Sequence, residues 1–394
     1  MLWEALLAFT LGMAKRKAAS LAPGHAAQLL TDIDQIPRTA DDVHVQEIAS
    51  LWSGLGAVYL LDDDVVMKHI RFPKGRSFSE QRDIDSYLCE AVFYARHAPR
   101  LLAPPVTLAI PTPLLVRTDD EGVTLCMSRL RGKSVGSDDF MDREMARAAL
   151  DALASLHAAF WGVEPSELDG LQAQGSFWHL DTRAIELSAM PRKGWEGRLR
   201  LAARALDERL KADPMQTCVH GDCKDANFLF LPFGSGGAGK RRRTAVRAQL
   251  FDFQYIGRAP PSKDLAYLFT CVEGTQAERV EDELLRHYHQ ALSAALALRG
   301  IRPPRLEAVK ESLQLAYADL ARWMSGWEGG WWAKALLSQR TRALLDKLDG
   351  GEPLADEQAY REALFNLFPP SQLSDSVEPP PPPDGTIAQP PAAH

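Results

Sequence analysis

The sequence predicts an α+β fold in two unequal parts: a small antiparallel β lobe with one helix, then a large, mainly helical lobe. Two observations carry this. Between about His44 and Met127, short β-prone runs alternate with turn residues; from about Ser137 onward, apolar residues recur at helical spacing. A third observation, an Asp- and Asn-containing motif beginning at His220, puts the chemistry between two apolar runs of the second part.

The chain has 394 residues, 46% of them hydrophobic, which is enough for one two-lobed domain or two ordinary ones. Its formal net charge of -7 lacks the basic excess of a nucleic-acid-binding domain. The five cysteines are widely spaced with no CxxC pair, so a zinc ribbon is excluded; reduced thiols in a cytoplasmic protein are the simplest expectation. No apolar run reaches the roughly 18 residues that span a bilayer.

Residues 1–40 read as an N-terminal helical extension. The first 13, MLWEALLAFTLGM, are apolar, with Lys15, Arg16 and Lys17 behind them. A secretory signal puts its positive charge in front, where this segment has Glu4; a short helix docking on the body is the simpler reading, and an organelle-targeting or membrane-surface segment the alternative. Residues 41–130 form the β lobe. VQEIASLW, AVYLL and VVMKHI are strands separated by SGLG and by Asp62–Asp64. A helix-like stretch from Glu80 to His97 follows, then PLLVR and VTLCM around an Asp119–Glu121 turn. Residues 131–368 form the helical lobe, with apolar stripes along 145–160, 280–292 and 306–323. Within it, NFLFL and VRAQLFDF read as two strands joined by the loop Pro232–Arg243, whose basic run is a solvated loop or an anion site. Residues 369–394 carry nine prolines and few apolar side chains, a composition that predicts disorder.

The residues His220-Gly221-Asp222-Cys223-Lys224-Asp225-Ala226-Asn227 make an HxDxxxxN pattern, and Phe251-Asp252-Phe253-Gln254 follows one hairpin later. Phosphoryl transfer needs a carboxylate that orients and deprotonates the attacking hydroxyl, and oxygen ligands that hold Mg²⁺ against the phosphates. Magnesium is satisfied by one or two carboxylates with phosphates and water, so Asp252 and Asn227 suffice. Ordinary Asp- and Asn-rich turns are the competing explanation for each motif alone. Upstream, Ser53, Gly54 and Gly56 lie between two strands, where backbone amides can approach phosphates or simply make a turn. Lys68 lies in a strand and Glu90 22 residues on, in the helix-like stretch. The order of these weak signals agrees with the downstream motif.

CVHGDCKDANFLF, LFDFQYIGRAPPSKDLAYLF and LASLHAAFW together resemble the kinase-like phosphotransferases: aminoglycoside phosphotransferases, choline kinases and the ecdysteroid-kinase-like group. The resemblance covers roughly residues 40 to 350, and the DFQ variant with HGD leans to the last group. It implies the bilobal protein-kinase-like fold and an ATP-dependent small-molecule kinase. By the same resemblance Asp222 is the catalytic base, Asn227 and Asp252 bind Mg²⁺, and Lys68 contacts phosphates and pairs with Glu90. Leu125 to Arg129, including Met127, would meet adenine; His220 and Asp264 would hold the catalytic loop, and His157 reads as a satisfied core histidine.

Two departures matter. The glycine loop lacks a third glycine, which puts phosphate cradling there in doubt. Lys224, two residues after the base, is placed to stabilise charge on the transferred group. PPSKDLAYLF follows Asp252 at once and leaves no room for a long activation segment, which argues against a protein substrate. A non-catalytic nucleotide-binding scaffold is the rival reading, and the intact Asp222, Asn227, Asp252 and Lys68 speak against it. The segment Arg322–Trp332 holds four of the nine tryptophans and Glu328. It is read as either a core stripe or an aromatic cage for a cationic acceptor.

Overall fold

The structure is a computed structural model. It describes residues 21–51, 54–75, 77–104, 106–136, 139–233, 245–275, 277–328 and 333–370. The apolar start of the chain, Ser53, the basic loop at Lys240–Arg243, Gly329–Trp332 and nearly all of the proline-rich tail lie outside the described residues.

The small lobe begins with α1 (Pro23–Asp34). Five strands follow: β1 (Val45–Ser50), β2 (Gly56–Leu61), β3 (Val65–Arg71), β4 (Pro113–Thr118) and β5 (Gly122–Ser128), ordered β1-β2-β3-β5-β4 with every neighbour antiparallel. Strand period two sorts the side chains. Ala57, Tyr59, Leu61, Met67 and Cys126 pack with Ala26, Ala27, Leu29 and Leu30 of α1. Val58, Leu60, Val66, Ile70, Leu125 and Met127 turn to the other face and join the main core. Helix α1 is thus a cover for one face of the sheet.

Between β3 and β4 runs α2 (Phe78–Val92), which passes through a single wide turn at Phe93–His97 into α3 (Ala98–Leu102). Its start is fixed by reciprocal caps: Ser77 Oγ accepts from Glu80 N at 3.2 Å, and Ser77 N donates to Glu80 Oε2 at 2.9 Å.

The large lobe holds α4 (Arg143–Ala159), α5 (Ala184–Ala189), α6 (Gly194–Lys211), α7 (Ser262–Thr270), α8 (Glu278–Ala297), α9 (Leu306–Gly326), α10 (Lys334–Asp349) and α11 (Glu357–Leu367). Two short antiparallel pairs sit among them: β6 (Thr217–Val219) with β9 (Gly257–Ala259), and β7 (Phe228–Phe233) with β8 (Ala245–Leu250). The three apolar stripes of the sequence become the buried faces of α4, α8 and α9. All five cysteines are free and buried. Among the described residues no helix is long and apolar enough to cross a membrane.

Candidate active site

Lys68 sits on the inner face of β3, 8% exposed, and Glu90 near the end of α2, 1% exposed. Lys68 Nζ donates to Glu90 Oε1 and Oε2 at 2.9 and 2.8 Å, and to Asp252 Oδ1 at 2.6 Å. Asp252 follows β8 with φ +69°, a backbone state that Asp tolerates better than most side chains. The next residue turns back: Phe253 N donates to Glu90 Oε1 at 3.2 Å, and its ring stacks on Phe93 at 4.1 Å and leans on His220 at 4.8 Å.

One ammonium therefore serves two carboxylates, Glu90 buried and Asp252 partly buried. Burial works against the charge on Lys68, but Asp252 and Glu90 outweigh it and hold the ammonium above its ordinary pKa. Of the two acids, Asp252 keeps the cation: burial opposes its charge, yet Lys68 and Lys224 hold it below the usual carboxylate range. Glu90 is the loser, pushed up to about 7 by burial, with the charge of Asp252 adding to it against the pull of Lys68.

The His220–Asn227 motif connects β6 to β7. Gly221 has φ +83°, and a Cβ there would lie 2.1 Å from the Tyr255 carbonyl oxygen, so the loop admits only glycine. Asp264, in the first turn of α7, accepts from His220 N at 2.7 Å and Gly221 N at 2.9 Å. His220 Nε2 donates to Phe251 O at 3.0 Å, while Nδ1 accepts from Asp222 N at 3.3 Å. His157 is fully buried between Asp264 Oδ2 at 3.0 Å and the Tyr288 hydroxyl at 2.8 Å, a satisfied core histidine.

The loop presents Asp222. Its Oδ2 accepts from Lys224 Nζ at 2.9 Å and Asn227 Nδ2 at 3.0 Å. Asn227 Nδ2 also reaches Asp222 O at 2.8 Å, whereas its Oδ1 is buried with no hydrogen-bond partner among the described residues. Burial opposes the Lys224 charge, but Asp222 and Asp252 raise its pKa overall.

The fold thus brings together Lys68, Glu90, Asp222, Lys224, Asn227 and Asp252. Gly54 and Gly56 belong to the β1–β2 turn and β2, and Met127 to β5; none takes part in these ion pairs. A Cβ on Gly56 would lie 2.0 Å from the His69 carbonyl oxygen of β3, so close strand approach alone accounts for that glycine. Ser53 is outside the described residues.

Residues 44–303 match the sequence pattern of the phosphotransferase enzyme family (APH), well over half of the chain. The chain belongs to that family. It is an enzyme, a phosphotransferase. Among solved structures it is similar to the microcompartment-associated aminopropanol kinase, with 16% identity, 84% of this chain and 99% of that one covered, and a TM-score of 0.47. It is also similar to an aminoglycoside phosphotransferase from Streptomyces rimosus (15% identity, 71% and 92% covered, TM-score 0.44). A macrolide 2'-phosphotransferase from Brachybacterium faecium aligns over 87% of this chain and 98% of its own at 18% identity and a TM-score of 0.38. No curated protein matches the chain.

On the other side of Asp222, the phosphotransferase has an aromatic wall that sequence reasoning found only in part. The irregular segment 172–178 runs beside the His220–Asn227 loop: Ser176 N donates to Tyr255 O at 3.2 Å and Phe177 N to Gly221 O at 3.1 Å. The Phe177 ring meets Tyr255 at 5.6 Å, Tyr267 at 5.8 Å and Trp323 at 4.7 Å, and Trp323 stacks on Trp327 at 4.9 Å. Burial, with Asp222 next to it, pushes the Tyr267 hydroxyl far above its ordinary pKa. Trp323 is core and Trp327 caps α9; Trp331 and Trp332 are outside the described residues. Phe177, Tyr255 and Tyr267 were not singled out from the sequence: the first lies in a stretch without periodicity, the others inside the motif segments.

Behind this wall the enzyme holds a sealed ionic knot. Asp319 of α9 lies 2.9 Å from Arg322 and 3.1 Å from Lys263, all buried. Arg322 Nη2 also donates to Trp178 O at 2.7 Å, which ties α9 to the segment carrying Phe177. Burial opposes the Asp319 charge, but Arg322 and Lys263 depress its pKa from 3.8 to about 2. A depressed acid stabilises the fold above its unfolded value and loses that contribution as pH falls through the folded value. Unfolding titrations should therefore show about 2 kcal/mol lost between about pH 4 and about pH 2. Asp319→Asn should remove that pH step; a variant that keeps it would refute the assignment.

Proposed function

We propose that this phosphotransferase moves the γ-phosphate of MgATP to a hydroxyl group of a small acceptor, with Asp222 as the base. The observation that carries the reading is the buried Asn227 Oδ1. It is an oxygen without a hydrogen-bond partner among the described residues, on the residue that holds Asp222 and whose carbonyl accepts from Phe251 N, next to Asp252. A buried polar atom without a partner is costly, and an oxygen in this setting fits a hard cation. Among the described residues no group of three or more His, Cys, Asp or Glu forms a metal cage. Magnesium bound with phosphates needs no such cage, so Asn227 and Asp252 are the residues that would hold it, and its chemistry is to neutralise phosphate oxygens.

The chain's own residues do the rest. Lys224 and Asn227 hold one oxygen of Asp222 and fix the carboxylate. Asp222 takes the proton from the acceptor hydroxyl as its oxygen bonds to the γ-phosphorus and the bond to the ADP oxygen breaks. Lys68, steered by Glu90, contacts the phosphates, and Lys224 stabilises charge on the transferred group. We assign the nucleotide to the lobe of residues 41–130, with Ser53, Gly54 and Gly56 over the phosphates and Met127 at the base. The acceptor falls to the lobe of residues 131–368. Calorimetry with MgATP on the purified protein tests the reading. Binding that requires Mg²⁺ is expected; folded protein that takes up no nucleotide at millimolar concentration would overturn it.

A further inference from the structure

Gly221, the residue before Asp222, has both of its backbone groups held. Asp264 takes its N–H at 2.9 Å, and its carbonyl accepts from Phe177 N at 3.1 Å. The second bond comes from a segment laid directly on the loop. Gly175 N donates to Arg258 O at 3.0 Å and Ser176 N to Tyr255 O at 3.2 Å. A Cβ on Gly221 would lie 2.8 Å from Ser176 N, so the two backbones touch. Ser176 itself has φ +95°, a state that L side chains adopt only where the surroundings enforce it.

Three buried cations hold it there. Lys263 Nζ lies 3.5 Å from Ser176 Oγ, Arg183 Nε donates to Phe177 O at 2.6 Å, and Arg322 Nη2 donates to Trp178 O at 2.7 Å. Two of them meet at Asp319: Lys263 lies 3.1 Å from Oδ2, and Arg322 Nε and Nη2 both lie 2.9 Å from Oδ1. Glu186 Oε1 balances Arg183 at 3.2 Å. Asp319, Arg322, Lys263 and Ser176 are each no more than 2% exposed. Arg322 Nη2 therefore bridges Asp319 and the Trp178 carbonyl, one residue from the Phe177 N–H that meets Gly221. Apolar side chains of the same volume often stabilise a core as well as a buried ion pair does. What they cannot do is hold the carbonyls of an irregular segment in place, which is where the charge-assisted donors of this knot are spent.

We infer that Asp319 and Arg322 are positioning residues for Asp222: through Trp178 O and the hydrogen bond from Phe177 to Gly221 they fix the peptide that aims its carboxylate. The inference rests on the phosphotransfer reading above and extends the machinery of that site to helix α9.

The test reads the bond and the rate separately, with water as the acceptor. Arg322→Lys keeps a cation beside Asp319 but lacks the planar fork that reaches Asp319 and Trp178 O together. Hydrogen exchange should show the Phe177 and Gly221 amides exchanging about tenfold or more faster in this variant, with β2 and β3 of the small lobe unchanged. Conversion of MgATP and water to ADP and phosphate should lose about 10- to 10²-fold in kcat, the range for a small misplacement of a reacting group, with KM for MgATP within about twofold. In an Asp222→Asn background the same change should cost less than about twofold, because the carboxylate it aims is already gone. Asp319→Asn is read in the same way if Arg322→Lys fails to fold. Unchanged exchange at Phe177, a loss carried by KM, or a loss of equal size in both backgrounds would overturn the inference. Wild-type protein that turns over no MgATP, or turnover that survives Asp222→Asn, sinks the phosphotransfer reading instead, and exchange at Phe177 then decides the link to the loop on its own.

Discussion

Asp222→Asn should lower kcat by about 10²- to 10⁴-fold, the range for loss of a general base, and leave nucleotide affinity intact. The separation follows from the hydrogen-bond map. Asp222 is tied to Lys224 and Asn227 within its own loop, and the ion pairs of Lys68 do not include it. An amide fills the same volume and keeps one oxygen, so the loop, gripped through its backbone by Asp264, should hold its shape. What is lost is the group that takes up a proton. Steady-state kinetics with calorimetry on the same preparation reads both quantities. Asp252→Ala provides the contrast, because it removes a Lys68 partner and a proposed metal ligand and should weaken Mg²⁺-dependent nucleotide binding. Equal loss of nucleotide binding in both variants would mean that the two carboxylates do not have separate roles.

Lys68→Met should be the most damaging change to the fold at this site. It leaves the buried Glu90 and the partly buried Asp252 without their shared cation, and breaking a buried pair in this way costs about 3–5 kcal/mol. The deficit should depend on pH in a definite direction. Glu90 is already pushed up to about 7 with Lys68 in place, and removing the ammonium raises it further. An acid whose folded pKa lies above its unfolded value favours the fold when protonated, and that benefit fades as pH rises through the folded value. The melting temperature of Lys68→Met should therefore recover toward wild type as pH is lowered from about 8 to about 6. A deficit that is constant over this range would show that Glu90 does not take up the proton.

Much of the molecule was legible in advance, for reasons that can be named. The five strands of the small lobe combine β-prone residues with glycine and aspartate turns, and α4, α8 and α9 have uninterrupted apolar stripes. Asp222, Lys224, Asn227 and Asp252 were legible because each sits in a short motif, and Lys68 and Glu90 through the resemblance and their order in the chain. Helix α6 was not, because its buried face includes Arg198, Asp207 and Arg209. Arg198 is matched by Asp346 and Asp349, and Arg209 by Asp213, partners that a local pattern cannot show. Phe177 was missed for a related reason: its segment is irregular, and its position depends on hydrogen bonds from Phe177 to Gly221 and from Ser176 to Tyr255, in a distant part of the chain. At Gly56 the sequence could not show a second demand on the same residue, the close approach of the His69 carbonyl.

The five buried thiols give this enzyme a set of internal clocks. Burial pushes Cys89, Cys126 and Cys271 up to about 12, and Cys218 and Cys223 well above their ordinary value. Alkylating reagents attack the thiolate, so in the closed protein every one of these sulfurs is silent. Labelling can then proceed only through transient opening, and its rate reports how often a given region breathes. Cys126 lies inside the sheet, Cys89 beside Glu90 and Cys223 beside Asp222, so the natural sequence carries separate timers for the small lobe and for the loop of Asp222.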